Sequence, residues 1–222
     1  ELRELGINTI WLQPIFKTTW GEQGYDVIDY FNIRSDYGSE SDLQNLIKSA
    51  HTLEMKVLLD IVINHTSIYH PYAQHSIEYG STSHYYDYYQ RKIDDAPYSQ
   101  YYNYYKGFIN YFWDELPNLN YDNPEVRNWM MTVCKYWVEK FDVDGYRFDA
   151  VWGVNARLPE FTQNLRLELK CIKPEVMLLA EDKASWPMVF NQRFDVAFDW
   201  APGEDWVSQW YWEVDYSEDA TK

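Results

Sequence analysis

Short apolar runs alternate along this chain with stretches of helical spacing. Residues 7–12 form the first run, rich in β-branched and aromatic side chains and held between Gly6 and Pro14, which predicts a strand. Gly6 after Leu5 reads as a helix stop, so the sequence is expected to begin inside a helix and to be a piece of a longer chain. Ser39 with Asp42 three positions on has the form of a capping box. Leu43, Leu46, Ile47 and Ala50 follow at helical spacing, predicting a helix over about 40–53. Residues 56–63 are almost continuously apolar, the pattern of a parallel strand covered on both faces. Strand, helix and strand in that order predict a right-handed crossover unit.

The second half repeats the rhythm. Asn123 as cap and Pro124 at the first helical position open a helix with Val126, Met130, Val133, Trp137 and Phe141 on one face. A strand over 145–148 follows, then a helix opened by Pro159, a strand over 176–180, a brief turn around Pro187 and a strand over 194–198. Between the halves, residues 66–115 hold 13 of the 21 tyrosines and show no sustained period, which predicts an inserted Tyr-rich subdomain. Without those ~50 residues, roughly 170 remain for five strands, close to the ~31 per unit of a (β/α)8 barrel. The expected fold is therefore α/β, an incomplete (β/α)8 TIM barrel formed by 1–65 and 116–222, with 66–115 inserted.

Composition narrows the function. The balance of 19 basic and 35 acidic residues gives a net charge of −16, the wrong sign for gripping nucleic acid or an anionic membrane. No stretch reaches the 18 or more apolar residues of a membrane span. Cys134 and Cys171 form no spaced cluster, so neither a disulfide framework nor a zinc site is expected. Aromatics at 19% suit sugar rings as well as cores.

Candidate chemistry gathers where strands end, the face that builds the active site in such folds. Asp60-Ile61-Val62-Ile63-Asn64-His65, Asp144-Gly145-Tyr146-Arg147-Phe148-Asp149 and Ala180-Glu181-Asp182 close three strands, and Gly24-Tyr25-Asp26 follows the first. Acids on neighbouring strand ends can lie ~5 to 5.5 Å apart, the spacing of retaining glycoside cleavage. Arg147 shares a strand face with Asp149 and favours its anion, which makes Asp149 the candidate nucleophile. Glu181, near that anion in a partly desolvated cleft, is the candidate acid and base. Asp60 is expected to hold Arg147 as a bidentate partner, His65 to donate to a sugar hydroxyl, and Tyr25 to stack on the ring.

These segments resemble the α-amylase family, glycoside hydrolase family 13. The resemblance runs through Gly6-Ile-Asn-Thr-Ile-Trp-Leu-Gln-Pro14, Gly24-Tyr-Asp26, Asp60-Ile-Val-Ile-Asn-His65, Leu116-Pro-Asn-Leu-Asn120, Gly145-Tyr-Arg-Phe-Asp149 and Glu181, in the family's order. It implies barrel strands two to six with a subdomain after the third, and retaining cleavage of α-glucosidic bonds in an α-glucan or maltooligosaccharide. It also implies Asp149 as nucleophile, Glu181 as acid and base, and Arg147, His65 and Tyr25 at the cleaved sugar. No cofactor is needed for that chemistry, but Asn64 resembles a ligand of a structural calcium. Two departures stand out. Trp152-Gly153 replaces the Lys-His pair that many α-amylases carry after the nucleophile, and the family's third acid, on strand seven, is not among these residues. The 222 residues alone are thus expected to be inactive. A transglycosylase or isomerase of the same family, and a non-catalytic barrel used for binding, are the alternatives.

Overall fold

The computed structural model describes residues 1–19, 23–91 and 103–198. A turn with Gly6 at φ +83° leads into β1 (Thr9–Leu12), followed by a hairpin of β2 (Phe16–Thr18) and β3 (Val27–Ile33). Helix α1 (Glu40–Thr52) starts at the predicted box: the Ser39 hydroxyl accepts from Asp42 N–H while the Asp42 carboxylate accepts from Ser39 N–H. Strand β4 (Lys56–Val62) comes next, then α2 (Pro71–Tyr79) and the hairpin of β5 (Asn103–Tyr105) and β6 (Phe108–Asn110). The second half runs through α3 (Pro124–Phe141), β7 (Gly145–Asp149), α4 (Val151–Arg157), α5 (Pro159–Ile172), β8 (Met177–Lys183), α6 (Pro187–Phe190) and β9 (Val196–Phe198).

One parallel sheet, in the order β1-β4-β7-β8-β9, organises these elements. Val57, Leu59, Ile61, Tyr146, Phe148, Leu178 and Ala180 alternate onto its outer face, where helices cover them with Leu43 and Ile47, Val133 and Trp137, and Leu165 and Leu169. The opposite face carries Trp11, Asp60, Arg147, Asp149, Glu181 and Phe198. Flat, five strands would part the outermost pair by about 19 Å. The rings of Trp11 on β1 and Phe198 on β9 instead lie 6.4 Å apart. The sheet is therefore rolled, as an arc of an incomplete (β/α)8 barrel. Gly145 lets the arc close tightly, because a Cβ there would stand 2.2 Å from the Met177 carbonyl.

The sequence left the β2–β3 and β5–β6 hairpins and α4 unread. It also gave no helix within 66–115, where α2 lies, capped by His70 accepting from Tyr72 N–H. Tyr72, Tyr85 and Tyr88 of that stretch pack on one another, and Tyr72 and Tyr88 on the barrel. Tyr72 stacks on Tyr85 at 3.9 Å and meets Trp129 of α3 edge-on at 4.9 Å. Cys134 and Cys171 are free, and among the described residues no helix is long and apolar enough to cross a membrane.

The closed end of the arc is held by Asp144, just before β7. It accepts from His51 at 2.7 Å, Lys56 at 3.1 Å, Lys173 at 3.0 Å and the Val57 N–H at 2.9 Å. Burial alone would raise its pKa, but these donors win and hold it at about 2. A depressed acid stabilises the fold above its unfolded pKa and loses that contribution as pH falls. We expect about 2 kcal/mol to disappear between pH 4 and pH 2 in the native protein and to be absent from Asp144→Asn throughout, read by denaturant unfolding across that range.

Candidate active site

Register brings the strand-end residues together. Asp60 pairs with Arg147 and Val62 with Asp149 across β4 and β7. Phe148 pairs with Ala180 across β7 and β8, so Asp149 and Glu181 follow side by side. The buried Arg147 guanidinium joins all three acids. Its Nη1 donates to both Asp60 oxygens at 2.9 and 3.1 Å and to Asp149 Oδ1 at 2.6 Å, and its Nη2 meets Glu181 Oε1 at 2.8 Å. Asp60 thus holds Arg147 through one nitrogen astride two oxygens rather than through the parallel fork expected. The rings of Trp11, Tyr25 and Phe198 lie 5.5 to 5.9 Å from the guanidinium carbon.

The turn after Asp149 completes the grip. Ala150 sits at φ +46°, a left-handed conformation costing about 1 kcal/mol or more for a residue with a Cβ. Its N–H donates to Glu181 Oε2 at 2.6 Å. One guanidinium cannot neutralise three buried carboxylates, so the group favours retaining a proton. Burial, and then the charge of Asp149, push Glu181 up to about 7 against the pull of Arg147. Burial also lifts Asp60 to about 7, again against Arg147.

Tyr25 is half-buried, and its hydroxyl donates to Asp60 Oδ2 at 3.2 Å. His65 is fully enclosed, its pKa lowered chiefly by burial, and its Nε2 is buried with no partner. Asp26 is buried and accepts from both N–H and hydroxyl of Thr19, which anchors the hairpin mouth. Sequence reasoning missed Phe112, whose ring meets the His65 ring at 5.7 Å. The cue was present: Phe112 and Trp113 stand four and three residues before Leu116, in the segment that returns to the barrel.

The sequence matches the family description alpha amylase, catalytic domain, over residues 2–185. The chain belongs to the α-amylase family. It is 38% identical to alpha-amylase 3 of Dictyoglomus thermophilum over 184 residues, 81% of this chain and 36% of the relative. It is 34% identical to the maltogenic alpha-amylase of Bacillus acidopullulyticus over 204 residues, 90% and 33% of the two chains. The solved alpha-amylase of H. orenii superposes with a TM-score of 0.76 at 33% identity, covering 88% of this chain and 43% of that one. The chain spans about a third of the length of these curated relatives.

Within the family, the Trp152-Gly153 departure has a structural counterpart. A Cβ on Gly153 would fall 2.5 Å from Asn64 Oδ1 and 2.8 Å from the Tyr111 ring, so Tyr111 occupies space that a histidine at 153 would need. The Asn64 side chain is buried and its amide nitrogen is hydrogen-bonded. That nitrogen donates to Asn118 Oδ1 at 3.3 Å, and Asn118 contacts Gln90 at 3.0 Å. The Gln90 amide also abuts the Arg157 guanidinium.

Proposed function

We propose that the protein cleaves α-glucosidic bonds of α-glucans or maltooligosaccharides by double displacement with retention. Asp149 attacks the anomeric carbon while Glu181 protonates the departing glycosidic oxygen, leaving a glycosyl ester on Asp149. Glu181, now ionised, takes a proton from water as the water oxygen bonds to the anomeric carbon and frees Asp149. Arg147 and Asp60 orient the pair, and Tyr25 offers a ring face.

One observation carries this reading: Asp149 and Glu181 lie on adjacent strands and touch the two ends of one guanidinium. That favours the short spacing of retaining enzymes over the ~6.5 to 9.5 Å that inversion needs for an interposed water. The named activities of the relatives agree with it. Following maltotriose cleavage by proton NMR tests it: the α-anomer is expected as the first product. A β-anomer appearing first overturns the mechanism.

A further inference from the structure

Side chains alternate along β8, and the outward set is Leu178, Ala180 and Asp182. The first two are apolar, as a helix-covered face demands. The third is a carboxylate with 1% of its surface exposed. A buried acid costs free energy unless donors meet it. Asn155 Nδ2 donates to Asp182 Oδ2 at 2.8 Å, and the Lys183 N–H to Oδ1 at 2.7 Å. Asn155 lies on α4, and its Oδ1 accepts from the Thr162 hydroxyl of α5 at 2.8 Å. Asn155 and Thr162 are buried with it, so a polar chain crosses the apolar layer and ties β8 to both helices.

What α4 carries gives that tie its weight. The helix has seven residues and no capping side chain, and it begins at left-handed Ala150, so its own sequence does little to fix where it starts. Two contacts with β8 do so. Ala150 N–H meets Glu181 Oε2 at 2.6 Å, and Asn155, five residues on, meets Asp182. Successive residues of one strand, pointing to opposite faces, thus grip the same helix. An apolar pair in place of Asp182 and Asn155 would bury as well but would not fix α4 along its axis, whereas a charge-assisted hydrogen bond is directional. Arg147 and Asp149 of β7 and Asp60 of β4 act on Glu181, while Arg193 and Lys183 act on Asp182.

We propose that Asp182 and Asn155 are positioning residues that hold the Ala150 N–H, and through it the Glu181 carboxyl, in place for proton transfer. This rests on the proposed role of Glu181 as acid and base and adds the element that orients it from behind the sheet.

Titration isolates the claim from turnover. In the full-length protein, Glu181 is followed by carbon NMR of isotope-labelled carboxyls and assigned by its loss in Glu181→Gln. With the Ala150 N–H withdrawn, the Glu181 anion loses a donor, so the midpoint in Asn155→Ala should fall at an about tenfold lower proton concentration than in the native protein. Its kcat/KM on maltotriose should drop about tenfold and that on a nitrophenyl α-glucoside less than about threefold, because only the first needs the proton. Thr162→Val, a milder change, should move the midpoint the same way by less, and it decides the matter where Asn155→Ala does not fold. Exchanging the partners, Asn155→Asp with Asp182→Asn, should recover the native midpoint. Asp144→Asn, which loosens the far end of the sheet, should leave the midpoint in place, so that lost stability alone does not account for a shift. A midpoint that stays or moves the other way, or that the exchange does not recover, overturns the positioning role. The expected shift with equal losses on both substrates supports the positioning and overturns Glu181 as the acid.

Discussion

Glu181→Gln is expected to lower kcat/KM on maltooligosaccharides by about 10³- to 10⁴-fold, the upper range for losing a positioned acid and base. The loss depends on the leaving group. A sugar alkoxide cannot depart without a proton, whereas a nitrophenolate can, so a nitrophenyl α-glucoside should lose far less in its first step. Asp149→Asn removes the bond-forming oxygen and should depress both substrates alike. The pH profile carries the same signature. Glu181 must be protonated to act, and with its pKa held at about 7 the native kcat/KM should fall as pH rises above that value. Burial also holds Asp60 at about 7, so only the limb that disappears in Glu181→Gln reports Glu181. Equal losses on both substrates in Glu181→Gln would remove Glu181 as the acid.

The sequence made the scaffold readable wherever local chemistry decides local structure. The Ser39–Asp42 box, the Asn123-Pro124 helix start and the unbroken apolar run of β4 each need only neighbouring residues, and each forms as read. The Arg147–Asp149 pair was legible for the same reason, since a period of two places both on one face. What escaped depends on distant partners. Strand β2 has three residues and two register shifts against β3, so it carries no period of its own. Helix α4 starts from left-handed Ala150 with no capping side chain, and its cue is the pull of Glu181 on the Ala150 N–H. The partners of Asn64 likewise lie in other segments: Asn118, and through it Gln90.

Arg147→Met should cost about 3 to 5 kcal/mol at neutral pH, because Asp60, Asp149 and Glu181 lose the cation they share while staying buried. For a domain of this size that is a fall in Tm of about 10 °C. The pH dependence separates this from simple loss of packing. Asp60 and Glu181 already stand above their unfolded values, and a raised folded pKa gives stability that is present in acid and lost as pH rises through it. Without the guanidinium both are pushed further up, so folding takes up protons and the penalty shrinks toward pH 5 and deepens toward pH 8. Asp144 at the other end of the strands has the opposite sign, since its depressed carboxyl loses stabilisation only as acid is added. Calorimetric scans of native and Arg147→Met protein from pH 5 to 8 should therefore diverge as pH rises. A gap that stays constant across that range would mean that Arg147 contributes by packing rather than by holding the three carboxylates.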